Sequence, residues 1–258
     1  MSETGLNVAI FGMGYVGTAC AAFLASDGCH VCGVDRDPDK HALLNHGQVP
    51  FYEPGLGERL RAAIEAGRFT MATDAAQAAR EADVCLICVG TPSDKCGRVA
   101  TDSIEHVGQE IGDALRKRDG FSVIALRSTS PPGTVETLAQ RITASSDRAR
   151  GTDFEVVSNP EFLREGSALK DLTHPPFTIV GSECDRAVRI MAELYRSVDA
   201  PFVQMVPREA ELLKYACNAF HALKVAFANE IGELARLNAL DAHRLMETFC
   251  KDDRLNIS

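Results

Sequence analysis

Phe11-Gly12-Met13-Gly14-Tyr15-Val16-Gly17 has the spacing GxGxxG, and an acid, Asp35, follows Gly17 by 18 residues. Those residue types in that order suit the binding of a dinucleotide. Gly12 permits a tight turn, Gly14 lets a pyrophosphate approach the backbone, and Gly17 lets a helix pack closely on a strand. The helix N-terminus then presents unpaired N–H groups to the phosphates, and Asp35 accepts from ribose hydroxyls. The bland alternative is a glycine turn on a sheet that binds nothing. The apolar strand before the motif, the small-residue helix after it and the acid at the next strand end favour the cofactor reading. Asp35 would repel a 2′-phosphate, which favours NAD over NADP, although the adjacent Arg36 softens that preference. Lys40 is within reach of a cofactor from the next helix, where an exposed lysine is also ordinary. Thr91, in Val89-Gly90-Thr91-Pro92, and Thr129, in Arg127-Ser128-Thr129-Ser130, follow two further strands. Ligands of open α/β sheets sit beyond such strand ends, though these hydroxyls could also simply cap the next helices.

A second group of candidates lies further along. Glu161 and Glu165, in Ser158-Asn159-Pro160-Glu161-Phe162-Leu163-Arg164-Glu165-Gly166, could act as base and ligand or merely flank an exposed helical turn. Lys214, Asn218, His221 and Asn229 fall within an arc of roughly 80° at 100° per residue of a helix. Around them Tyr215, Cys217, Phe220, Leu223, Val225 and Phe227 are largely apolar. A polar stripe on a helix that buries its surroundings is costly unless it meets ligands or fixed partners, so the four read as a site.

The elements that must carry these residues alternate between short apolar runs and helical stretches, the pattern of a doubly wound, mostly parallel Rossmann-type α/β sheet. Strands are expected at 6–11, 30–34, 84–89, 122–126, 154–157, 178–180 and 202–205. Helices are expected at 16–26, 37–45, 56–65, 74–80, 103–118, 134–144 and 185–197. A long connecting helix over 208–238, about 30 residues or ~45 Å, follows. Its composition is apolar nearly all round, as expected of a buried helix linking domains. Asp241 is a plausible N-cap for a final helix over 241–249. The domain boundary is placed near Met205, with a cofactor domain over 1–205 and the start of a helical domain over 206–258.

Composition bounds the function. The 258 residues carry a formal net charge of −9, which argues against a nucleic-acid or membrane-surface partner. No apolar run approaches the roughly 18 residues of a membrane span, and the N-terminus lacks a basic region leading into one. The expected compartment is the cytoplasm. Nine cysteines include two CxxC pairs, Cys29/Cys32 and Cys85/Cys88, in β-branched runs. Residues three apart on a strand point to opposite faces, so these pairs read as buried small hydrophobes and not as a metal site or disulfides.

Phe11-Gly12-Met13-Gly14-Tyr15-Val16-Gly17, Val89-Gly90-Thr91-Pro92, Asn159-Pro160-Glu161-Phe162-Leu163-Arg164-Glu165 and Phe227-Ala228-Asn229-Glu230-Ile231-Gly232 together resemble the UDP-glucose/GDP-mannose dehydrogenase family over essentially the whole chain. The stretch Lys214-Tyr215-Ala216-Cys217-Asn218-Ala219-Phe220-His221 looks most like the GDP-mannose branch, where a histidine occupies the place of His221. The resemblance implies NAD-dependent oxidation of a nucleotide sugar, GDP-mannose or UDP-glucose, at its C6 alcohol to the acid. Carried over by motif, Tyr15, Val16, Asp35, Lys40, Thr91 and Thr129 would contact NAD. Glu165, Lys214, Asn218, His221 and Asn229 would hold the sugar nucleotide or the reacting centre. Lys214 and Asn218, with Glu161 ordering a water, would be catalytic. The long helix would pack at a homodimer interface. Two departures stand out. Ser130-Pro131 replaces the family's usual valine and its successor in the Thr129 loop. The family's Gly-Gly-Ser-Cys segment is expected beyond Ser258, so these residues are expected to bind NAD without forming the sugar acid. A non-catalytic NAD-binding or assembly module is the alternative.

Overall fold

The computed structural model describes residues 5–252. Eight strands form one sheet: β1 (Asn7–Phe11), β2 (His30–Val34), β3 (Phe69–Met71), β4 (Val84–Ile87), β5 (Ser122–Leu126), β6 (Phe154–Ser158), β7 (Thr178–Gly181) and β8 (Phe202–Met205). Their order is β3-β2-β1-β4-β5-β6-β7-β8. All pairings are parallel except β6 with β7, which is antiparallel. The strand order reverses between β1 and β4, and that switch point opens the crevice that ligands use in such sheets.

Strict alternation explains why the strands look continuously apolar. Val8 and Ile10 of β1, with Val84 and Leu86 of β4, face one core layer. Ala9 and Phe11, with Cys85 and Ile87, face the other. Both faces are covered by helices, so neither set can be polar. The first layer is closed by α1 (Tyr15–Ser26), α3 (Leu56–Glu65), α7 (Ala168–Thr173) and α8 (Asp185–Leu194), reached after α2 (Pro38–Asn45). The second is closed by α4 (Ala75–Glu81), α5 (Asp102–Leu115) and α6 (Thr134–Ser146). The CxxC geometry follows the same rule. Cys29 and Cys88 lie with the first layer, and Cys32 and Cys85 with the second, so each pair straddles the sheet. Among the described residues no cysteine forms a disulfide.

Two elements went unread in the sequence. β3 has only three residues, and α7 only six, too few for either periodicity to register. The long helix α9 spans Pro207–Leu237, with Pro207 at a first-turn position that needs no N–H donor. The chain divides after Lys214, nine residues beyond the boundary expected near Met205. The reason is that Ala210, Glu211 and Lys214 of α9 are buried with the first unit, at 0%, 3% and 6% exposure.

In the second unit the remainder of α9 is followed by α10 (Ala242–Phe249), capped by the Asp241 carboxylate accepting from the His243 and Arg244 amides. The Phe227 and Phe249 rings lie 5.5 Å apart. The expectation of a buried helix fails for the single chain: Phe220, Leu223, Val225, Phe227, Leu234 and Leu237 are all exposed. Among the described residues, no helix is long and apolar enough to cross a membrane.

Candidate functional site

The glycine-rich turn is built by close approach. Gly12 adopts φ 96°, and a Cβ there would lie 2.8 Å from the Cys88 carbonyl oxygen. A Cβ on Gly17 would lie 1.9 Å from the Gly12 carbonyl oxygen, so the first turn of α1 seats directly on the turn before it. Around Gly14, by contrast, nothing lies within 4 Å of where a Cβ would be. Gly14 is the N-cap of α1, no side chain caps the helix, and no acid occupies its first turn. The leading amides of α1 therefore remain available to an anion. A cavity of about 310 Å³ opens here, lined among others by Gly12, Gly14, Asp35, Lys40, Val89 and Gly90. Its size suits the nucleoside end of a dinucleotide.

Asp35 stands at the end of β2. Its Oδ2 accepts from the Met13 amide at 2.8 Å and from the Lys40 ammonium at 2.9 Å, and its Oδ1 accepts from the Asp37 amide at 3.0 Å. Burial pushes its pKa up, but the Lys40 and amide hydrogen bonds outweigh this and hold the carboxyl below its ordinary value. Oδ1 keeps lone-pair capacity for a ribose hydroxyl. Lys40 is thus paired with Asp35 at the cavity wall. Thr91 donates to the Thr129 carbonyl at 2.8 Å, and Ser128 donates to the Val89 carbonyl at 2.7 Å. These bonds fasten the two strand-end loops together, with both threonines half-buried.

Tyr15 and Val16 are the first two helical residues of α1, and Val16 packs on the first core layer. The Tyr15 hydroxyl turns to the Glu53 carboxylate at 2.5 Å, which leaves its backbone N–H as the group that faces the turn. Glu53 is 7% exposed and also accepts from the Gly166 and Ala168 amides, each at 2.9 Å. The sequence reading missed this residue. The Glu53-Pro54-Gly55 corner and the long reach to Gly166 give no local period to detect.

Residues 159–164 form a loop without regular secondary structure, not a helical turn, and the two acids separate. Glu165 is exposed. Glu161 accepts from the Leu163 amide at 2.6 Å and from the Lys214 ammonium at 2.8 Å. That ion pair is buried, with side-chain exposures of 7% for Lys214 and 13% for Glu161. The Phe162 ring lies 5.4 Å from the same ammonium. Asn159, beside it, receives a hydrogen bond from the buried Arg127 at 2.9 Å and one from the Tyr195 hydroxyl at 2.7 Å. Glu211, a turn before Lys214 and also unread in the sequence, accepts from the Gly133 amide at 2.5 Å and the Val135 amide at 2.8 Å. It caps α6 and fixes the start of α9 against the Thr129 loop; burial raises its pKa despite those bonds. Asn218, His221 and Asn229 lie in the second unit, each exposed on α9.

Residues 6–199 match the NAD binding domain of the UDP-glucose/GDP-mannose dehydrogenase family, and residues 208–258 match its central domain. The chain belongs to that family. Its cofactor is NAD. The chain is 42% identical to GDP-mannose 6-dehydrogenase of Pseudomonas aeruginosa over 254 residues, covering 98% of this chain and 58% of that protein. It is 35% identical to UDP-glucose 6-dehydrogenase TuaD of Bacillus subtilis over 249 residues, covering 96% of this chain and 53% of that protein. A crystal structure of a ternary complex of the Pseudomonas aeruginosa GDP-mannose dehydrogenase superposes with a TM-score of 0.95 at 42% identity, again over 98% of this chain and 58% of that one. A UDP-glucose dehydrogenase from Pyrobaculum islandicum superposes at 0.92 with 38% identity, over 98% and 58%. The chain therefore spans a little over half the length of the relatives it matches.

Proposed function

We propose that this chain is the cofactor-binding and lysine-bearing part of an NAD-dependent dehydrogenase that oxidises the C6 alcohol of GDP-mannose to GDP-mannuronate. The observation that carries the proposal is the buried Lys214–Glu161 pair at 2.8 Å, on elements adjoining the glycine-rich turn and the Thr129 loop. A lysine held this way suits the stabilising of an oxyanion developing at C6, and Glu161 suits the ordering of a hydrolytic water. The amides of α1 and the Asp35 carboxylate would hold and orient NAD, which would supply the hydride acceptor for the alcohol carbon. Asn218 and His221 follow Lys214 on α9 by one and two turns, and the resemblance to the family assigns Glu165, Asn218, His221 and Asn229 each to the sugar nucleotide.

The GDP-mannose assignment is supported by His221 and by the higher identity to the GDP-mannose relatives, 42% against 35%. UDP-glucose is the second reading, favoured by the 0.92 superposition on a UDP-glucose enzyme. The apolar side chains exposed along α9 are suited to pairing with a second copy of the chain. On this reading neither Cys217 nor Cys250 is the nucleophile, and residues 1–258 alone bind NAD without sustained NADH formation. The deciding assay follows NADH with each nucleotide sugar, using residues 1–258 and the full native protein. The native protein should yield two NADH per GDP-mannose and should turn UDP-glucose over more slowly. Preference for UDP-glucose would overturn the substrate, and sustained turnover by residues 1–258 would overturn the assignment of the nucleophile.

A further inference from the structure

Glu53 is a carboxylate buried in the loop between α2 and α3, and among the described residues its hydrogen bonds come from three neutral donors. Oε2 accepts from the Tyr15 hydroxyl at 2.5 Å and from the Gly166 amide at 2.9 Å, while Oε1 accepts from the Ala168 amide at 2.9 Å. A buried carboxylate is costly unless its lone pairs are filled, so these bonds hold the residue firmly in place. The donors belong to two segments about 150 residues apart in sequence. Tyr15 is the first residue of α1, and its amide is one of those facing the cofactor turn. Gly166 and Ala168 end the loop that carries Glu161 and Glu165. The Tyr15 hydroxyl also accepts from the Gly166 amide at 3.1 Å and lies 3.2 Å from the Arg164 carbonyl oxygen.

A residue that only capped α7 would need Gly166 and Ala168 and would ignore Tyr15. Here the phenol and the Gly166 amide share one oxygen. Burial, followed by the Glu53 hydrogen bond, pushes the Tyr15 phenol up to about 12, so this oxygen stays protonated and keeps donating. Any shift of the Tyr15 end of α1 on cofactor binding would therefore either carry the 164–168 segment with it or break a short, charge-assisted bond. That segment is continuous with the Glu161–Leu163 stretch, which holds Lys214 through Glu161.

We propose that Glu53 is a positioning residue that couples occupancy of the cofactor turn to the order of the 159–168 loop. NAD binding would then preset the face on which the sugar nucleotide lands. The proposal rests on the reading of that loop as the sugar face.

The test compares the unsubstituted chain with Glu53→Gln and Tyr15→Phe. NAD affinity is measured by calorimetry, and amide exchange across residues 163–168 is followed with and without saturating NAD. In the unsubstituted chain NAD should slow exchange there by about fivefold or more, the lower range of inter-site coupling. Each variant is compared at its own saturating NAD concentration, set from its measured affinity, and both should lose that slowing. Tyrosine labelled with ¹³C at the ring carbon bearing oxygen, assigned with Tyr15→Phe, should show the Tyr15 phenol titrating lower in Glu53→Gln. Tyr15→Phe removes only the shared hydroxyl, so it decides the matter should Glu53→Gln fail to fold. NAD-dependent slowing that survives in the variants, or is absent from the unsubstituted chain with NAD bound, overturns the coupling. If the slowing behaves as expected but the full native protein oxidises neither sugar nucleotide, the substrate reading falls and the coupling stands.

Discussion

Replacing Glu161 by glutamine would expose how much of the first unit's stability depends on the buried Lys214 pair. The substitution keeps the side chain's shape but removes its charge, leaving an ammonium that is 7% exposed with an amide oxygen and the Phe162 ring for company. Removing one partner of a buried pair costs ~3–5 kcal/mol, and the retained amide oxygen puts this case near 3. For a unit of this size that corresponds to a loss of about 6–12 °C in Tm. Lys214→Met should cost a similar amount, because it strands the Glu161 carboxylate with the Leu163 amide as its remaining donor at 2.6 Å. The double variant Lys214→Met/Glu161→Gln strands neither charge of the pair and should lie within about 1 kcal/mol of the unsubstituted chain. Guanidinium denaturation of the four proteins gives the cycle, and repeating the thermal melts at raised salt should change little, since buried pairs are poorly screened. Two single substitutions that each cost under about 1 kcal/mol and simply add would refute the argument, because Lys214 would then be hydrated in solution.

Other expectations follow from the cofactor turn. Asp35→Ala should weaken NAD by about 10–100-fold and lessen discrimination against NADP, as expected for losing hydrogen bonds to a charged acceptor; unchanged NAD affinity in calorimetry would remove Asp35 from the ribose. Because the Asp35 pKa is depressed in the folded chain, its contribution is complete above the ordinary value of 3.8 and is lost only as pH falls through the lower folded value. NAD affinity should therefore stay flat from pH 8 down to about 5, and a titration centred near neutrality would implicate a different group. Gly17→Ala places a methyl 1.9 Å from the Gly12 carbonyl oxygen, so it should destabilise the chain by ~1–3 kcal/mol and abolish detectable NAD binding, both readable from melts run with and without NAD.

The parts of this fold that local chemistry determines were legible. β1, β2, β4 and β5 announced themselves because strands covered on both faces are apolar over most of their length, and the glycine-rich turn because Gly12 and Gly17 each answer to a separate steric demand. Where the signal needed length, it failed. β3 offers three residues and α7 six, and neither completes enough of a period to stand out from a loop. The α9 error has a different origin. Its apolar composition was read as burial within the chain, yet composition reports only that a surface avoids water. It does not say whether the cover comes from the same chain, and here Phe220, Leu223 and Leu234 are uncovered in the single chain.

The residues that went unread share one property: each is a carboxylate that accepts from two backbone amides of a distant segment. Glu53 reaches Gly166 and Ala168, and Glu211 reaches Gly133 and Val135. A backbone amide carries no residue-type signature, so the partner leaves no trace in the sequence, and the acid by itself looks like any surface glutamate. Lys214 was found because its own type and its place in a helical stripe are informative. What fixes Lys214 in space is the pair of acids around it. Glu211 pins α9 to the N-terminus of α6, and Glu161 holds the ammonium from the loop after β6. Replacing Glu211 should therefore loosen the start of α9, and with it the placement of Lys214, without removing either member of the ion pair. The catalytic candidate is written in the sequence by its own side chain, whereas its position is set by acids whose partners are main chain.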